Sequence, residues 1–110
     1  MSGLEFDSSR QDARALAENR VFRAVSDMGR RHMLDLIRQN PGISMTTLCE
    51  FFPLSRFAVM KHLNLLDEAG LLQKKQQGRV KKLYVNAAPL ERALAPWLVR
   101  FQPFQAKRQE

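Results

Sequence analysis

Arg56, Phe57, Met60, Lys61 and Asn64 fall on one side of a 3.6-residue helical repeat. Their types suit the reading of a nucleic-acid groove. An arginine fork can donate two parallel bonds to the O6 and N7 of guanine, and a lysine can reach a guanine or a phosphate. Phe57 and Met60 either touch thymine methyls or pack against a neighbouring helix or wing. For Arg56 and Lys61 the alternative is a charge left in water. Asn64, further along, is placed for a phosphate.

Such a set needs a helix to carry it. Val59, Leu63 and Leu66 recur at four and three residues on the opposite side, which gives residues 55–70 an apolar stripe to bury. Ser55 is suited to cap the first turn and Gly70 to take the left-handed position past the last. A shorter helical pattern over residues 44–52 precedes it, capped by Ser44, with Leu48, Cys49 and Phe52 facing inward. Pro53 ends it and Leu54 fills the turn. Ser44, Thr46 and Thr47 sit at the start of that helix, where free amides and the positive dipole end suit a phosphate. Two strands follow, 71–75 and 81–86, around the turn Gln77-Gly78, with Leu83 and Val85 alternating against Lys82 and Tyr84. The turn can project Arg79 toward a minor groove. Lys81, with Lys74, Lys75 and Lys82, is placed for phosphates, which position a protein without reading sequence. Helix, tight turn, helix and basic hairpin make a winged helix-turn-helix, mainly α with a small β wing.

The rest of the chain must hold that unit. Residues 1–12 are polar and without period, and a flexible tail is expected there. A helix is expected over 13–26, with Leu16, Val21, Ala24 and Val25 as its apolar positions. Asp27 can cap a second helix over 28–39, with His32, Met33, Leu36 and Ile37 inward and Arg30, Arg31, Asp35 and Arg38 outward. Asn40-Pro41-Gly42 stops it, and Ile43 is an isolated apolar residue that can pair beside the wing. Pro89 suits the first turn of a last helix, and Pro96 should kink or divide it. Leu90, Leu94, Trp97, Leu98, Phe101 and Phe104 follow helical spacing there. They either complete the chain's own core or, with Leu16, form a dimer interface, where aromatics are enriched. The interface is the reading favoured here, giving one domain over 13–104, dimeric through its terminal helices, and a tail over 105–110.

Charge agrees with a polyanion partner. The chain of 110 residues carries a formal net charge of +7. Seven of its cations, against Asp67 and Glu68 alone, lie between residues 54 and 86. A focused basic region is the electrostatic footprint of nucleic-acid binding. The single Cys49 excludes an intrachain disulfide framework. No apolar run approaches the ~20 residues of a membrane span, and the first residues lack the apolar core of a signal peptide. The cytoplasm is the expected compartment. Nothing resembles a catalytic set, and no cofactor or metal is expected. His62 lies on the flank of the buried stripe and His32 on another helix, both read as structural.

At family level, VFRAVSDMGRRHMLDLI resembles the opening helix pair of the ArsR/SmtB bacterial transcriptional repressors. ISMTTLCEFFPLSRFAVMKHLNLLDEAGLL resembles their helix-turn-helix, and KKQQGRVKKLYVNAAPL their wing and the start of the last helix. The resemblance covers about residues 20–102. It implies a dimeric winged helix that binds an inverted-repeat operator in duplex DNA and represses transcription. Two departures stand out. Many relatives sense metals through a Cys-x-Cys pair before the turn, where this chain has Cys49 alone, and others through ligands on the last helix, which here has Glu91 and no histidine. Phe57 and Met60 stand where relatives often carry smaller polar residues. The sequence leaves any inducer unidentified. A winged helix that docks a protein, its basic wing incidental, is the alternative.

Overall fold

A computed structural model describes residues 9–102. The order is α1 (Ser9–Ala24), α2 (Met28–Gln39), β1 (Ile43–Ser44), α3 (Met45–Cys49), α4 (Arg56–Glu68), β2 (Leu72–Gln77), β3 (Val80–Val85) and α5 (Ala88–Val99). The core lies between α2, α3, α4 and the inner face of the sheet. Met33 and Ile37 of α2, Leu48 of α3, Val59, Leu63 and Leu66 of α4, Leu71 before β2 and Leu83 of β3 are its largest fully buried side chains. They come together because each lies on the apolar stripe of its element. Burying such a side chain contributes roughly 1.5–3 kcal/mol.

Local chemistry sets the ends of the elements. Asp27 caps α2 by accepting from the amide of Arg30, Ser44 caps α3 through Thr47, and Ser55 caps α4 through Ala58. A side-chain oxygen at this position satisfies an amide with no partner inside the helix. Gly42 leaves α2 at φ +87°, and a Cβ there would sit 3.2 Å from the Tyr84 hydroxyl oxygen. Its amide donates to Leu83 at 2.8 Å, which leads the chain into the sheet. The strands are antiparallel in the order β1-β3-β2. Ile43 pairs with Leu83 and Ser44 with Lys82, so the segment before α3 is a third strand of the wing.

Several details differ from the expectations above. Helix α1 begins at Ser9, before the expected 13, and ends at Ala24. Of its residues from Asp12 onward, only Val21 and Ala24 are buried, so that stretch offers almost no stripe from which the helix could be read. The hairpin is longer than expected: Gln77 pairs with Val80, and the connection is Gly78-Arg79. Pro96 does not divide the last helix, since α5 runs from Ala88 to Val99. One missing amide is tolerated where the helix lies exposed and packed along one side only. His32 points outward and meets the edge of Phe52, ring centroids 5.3 Å apart. Arg30, expected in solvent, is half-buried. Cys49 is only partly covered. Phe104 and the tail 105–110 lie outside the described residues.

Candidate nucleic-acid interface

The start of α3, the outward face of α4 and the inner edge of the wing enclose a cleft of about 410 Å³. Ser44, Thr46 and Thr47 form one wall, Arg56 and Met60 a second, and Gln76, Arg79, Val80 and Lys81 a third. Seven of the residues singled out from the sequence meet here: Ser44, Thr46, Thr47, Arg56, Met60, Arg79 and Lys81. Ser55, Phe57, Lys61 and Asn64 do not line the cleft. Ser55 is engaged as the α4 cap, its hydroxyl oxygen 3.1 Å from the Ala58 amide. Phe57, Lys61 and Asn64 are exposed farther around and along α4. Met45, Gln76 and Val80 are lining residues that sequence reasoning did not select. The hairpin register would have found Gln76, since it stands opposite Lys81.

Helix α4 keeps its two faces apart. Val59, Leu63 and Leu66 are buried, while Arg56, Phe57, Met60, Lys61 and Asn64 are all exposed. Phe57 is 71% exposed, too open to be a packing residue of the protomer. Its ring has the Lys61 ammonium 5.3 Å from its centroid, a cation–π contact that sets a charge beside an apolar disc. Ser44 is doubly committed. Its oxygen accepts from the Thr47 amide at 3.0 Å, and its hydroxyl lies 3.0 Å from that of Thr47.

The wing cations divide by partner. Lys74 pairs with Asp67 of α4 at 3.5 Å, and Lys75 lies over the Tyr84 ring at 5.2 Å. Among the described residues, Arg56, Lys61, Arg79 and Lys81 form no ion pair, so their charge faces outward uncompensated. An arrangement of fork donors, ammonium groups and apolar groups on a projecting helix can bond base edges in a major groove. Among the described residues no three His, Cys, Asp or Glu side chains gather to hold a metal ion.

A second set of exposed groups lies away from the cleft, on the terminal helices. Leu16 of α1 and Trp97 and Leu98 of α5, with Phe101 beyond it, are exposed, as is Val99, which the sequence reading passed over. Leu94 is half-buried, and Leu90 packs against the protomer's core. Trp97 is 46% exposed, and its ring meets Phe22 of α1 edge-on at 6.0 Å and Phe101 at 5.3 Å.

No known family model matches the chain. Two proteins of Bacillus subtilis (strain 168) are similar to it over most of their length. The HTH-type transcriptional regulator YuzN is 30% identical over 84 residues, covering 71% of this chain and 91% of YuzN. The transcriptional repressor SdpR is 32% identical over 85 residues, covering 76% and 90%. A crystal structure of an ArsR family transcriptional regulator superposes with a TM-score of 0.71 at 25% identity, covering 84% of this chain and 93% of that one. The chain belongs to the ArsR family of helix-turn-helix transcriptional regulators. A homodimeric winged helix-turn-helix DNA-binding domain from Mycobacterium bovis shares the fold, with a TM-score of 0.67 at 17% identity and coverage of 88% and 90%. No helix among the described residues is long and apolar enough to cross a membrane.

Proposed function

We propose that two copies of this chain pair through α1 and α5, bind an inverted-repeat operator, and repress transcription by covering a promoter. The observation that carries the reading is the cleft, where α4 and the wing set unpaired cations around Met60 and Val80. In this reading α4 enters a major groove. Arg56 bonds a guanine, Lys61 a guanine or a phosphate, and Phe57 and Met60 touch thymine methyls. Thr46, Thr47 and Asn64 approach phosphates, with Ser44 and Ser55 holding the two helix starts that face the backbone. Arg79 at the wing tip reaches the adjacent minor groove and Lys81 its phosphates.

Pairing supplies the second half-site. Leu16, Leu94, Trp97, Leu98 and Phe101 give the terminal helices an apolar surface to bury against a second copy, and Leu90 supports it from the core side. The homodimeric state of the Mycobacterium domain supports this, and the name of SdpR supports repression over activation. Two α4 helices one helical turn apart on the same DNA face would exclude polymerase. Such a regulator works in the cytoplasm, without a cofactor. If an inducer exists, it acts by favouring a dimer geometry in which both α4 helices cannot dock.

Selection of bound duplexes from a random pool tests this, followed by titration of the winner against a scrambled duplex at two salt concentrations. An enriched inverted repeat bound well above the scrambled control is the expected result. With no sequence enriched, or with equal affinity for both duplexes, the operator reading fails.

A further inference from the structure

Arg30 occupies a junction that contact with DNA does not explain. It lies in the first turn of α2, half-buried, and each nitrogen of its guanidinium has a partner. Nε donates to the carbonyl of Ala24 at 2.8 Å and Nη2 to that of Arg23 at 3.0 Å, both at the end of α1. Nη1 lies 3.3 Å from Nδ1 of His62, on α4. Its main-chain amide donates to Asp27 at 3.0 Å, so the residue is anchored to α2 as well. We propose that Arg30 is a positioning residue: through His62 it fixes the rotation of α4, and hence the aim of Arg56 and its neighbours, relative to α1 and α5.

The chemistry of the two side chains supports this. A guanidinium is a planar fork with donors in fixed directions and no acceptor. Three partners on one fork are therefore locked relative to one another, which a flexible ammonium cannot do. Because Arg30 only donates, Nδ1 of His62 must accept, and the ring proton resides on Nε2. His62 stands between Lys61 of the outward face and Leu63 of the buried stripe, so a tie at this point resists rolling of the helix about its axis. Base reading tolerates little roll, since contacts must be held within roughly 0.5 Å and 10–20°. At the other end, α1 meets α5 through Phe22 and Trp97. One guanidinium thus joins the exposed apolar face of the terminal helices to the helix assigned to DNA.

The inference rests on the DNA-binding reading above, and its test separates the two. Wild type, Arg30→Lys, His62→Phe, His62→Asn and the double variant Arg30→Lys/His62→Phe are titrated with the selected operator and a scrambled duplex, and each is melted. Lysine keeps the charge, so affinity for scrambled DNA should hold while the operator-to-scrambled ratio falls about tenfold. His62→Phe should lower the ratio similarly, and the double variant should be no worse than the weaker single. His62→Asn keeps an acceptor near the place of Nδ1 and should retain most of the ratio. A merely structural role would lower the melting temperature and both affinities together, with the ratio intact. An intact ratio, additive losses in the double variant, or equal losses for Asn and Phe would overturn the proposal. If wild type shows no preference for any sequence, the operator reading itself has failed and takes this inference with it.

Discussion

Arg56 and Phe57 stand side by side at the start of α4 and would read different features of one groove. Replacing Arg56 with alanine should lower operator affinity by ~1–3 kcal/mol and relax the preference at one position per half-site. An equal loss on every sequence would make Arg56 a phosphate contact. Phe57 should report on thymine, whose C5 methyl is the apolar feature of the major groove. Replacing operator thymines one by one with deoxyuracil should weaken wild type at one or two positions per half-site and leave Phe57→Ala insensitive there. A wild type indifferent to every such replacement would point Phe57 at a protein surface. Asp27 adds a prediction about pH. Its carboxyl is held below the usual carboxylate value, first by the bond from the Arg30 amide, with the nearby charge of Arg30 acting the same way. A folded value below the unfolded one gives stability that is present above the unfolded value, about 3.9. That stability is lost as pH falls through the folded value. Asparagine keeps the capping oxygen but does not titrate. Thermal melts between about pH 5 and pH 2 should therefore show a smaller acid loss in Asp27→Asn than in wild type.

At the scale of the element, α4 keeps its buried stripe and the face assigned to recognition on separate sides. Leu63→Ala should cost about 2–5 kcal/mol in chemical denaturation, because the side chain is fully buried and its cavity refills only in part. A loss well under that range would mean the helix moves to fill the gap. This division explains what was legible beforehand. The stripe of α4, its cap at Ser55, the stop at Gly70 and the caps at Asp27 and Ser44 depend on local spacing and side-chain chemistry, and all are present as expected. The pairing of Ile43 with the wing was visible because an isolated apolar residue between a turn and a helix has few other uses. The rest was hidden for physical reasons. Gln76, Gln77 and Val80 are all exposed, so the outer hairpin shows no alternation and its ends could not be read. Helical period places Arg30 in solvent, but its long side chain reaches back to carbonyls of α1 that no pattern on α2 reveals.

At the scale of the whole molecule, the exposed apolar face of the terminal helices and the cleft are separate surfaces that the operator reading requires to act together. Trp97 is shared, half spent on Phe22 and Phe101 and half open. Trp97→Ala should therefore weaken the dimer, measured by sedimentation, by at least tenfold, and lower protomer stability by a smaller amount. An unchanged dimerisation constant would assign Trp97 to the protomer alone. Charge follows the same division, with seven cations against two acids between residues 54 and 86.

The two-sided construction of α4 also bears on how such a protein diversifies. Arg56, Phe57, Met60 and Lys61 are exposed, and none belongs to the core. In the operator reading proposed above, drift at these four positions would redirect the regulator to new genes without unfolding the scaffold. A library randomised there alone would sample new target sequences on a constant fold, with His62 and Leu63 left in place to hold the aim.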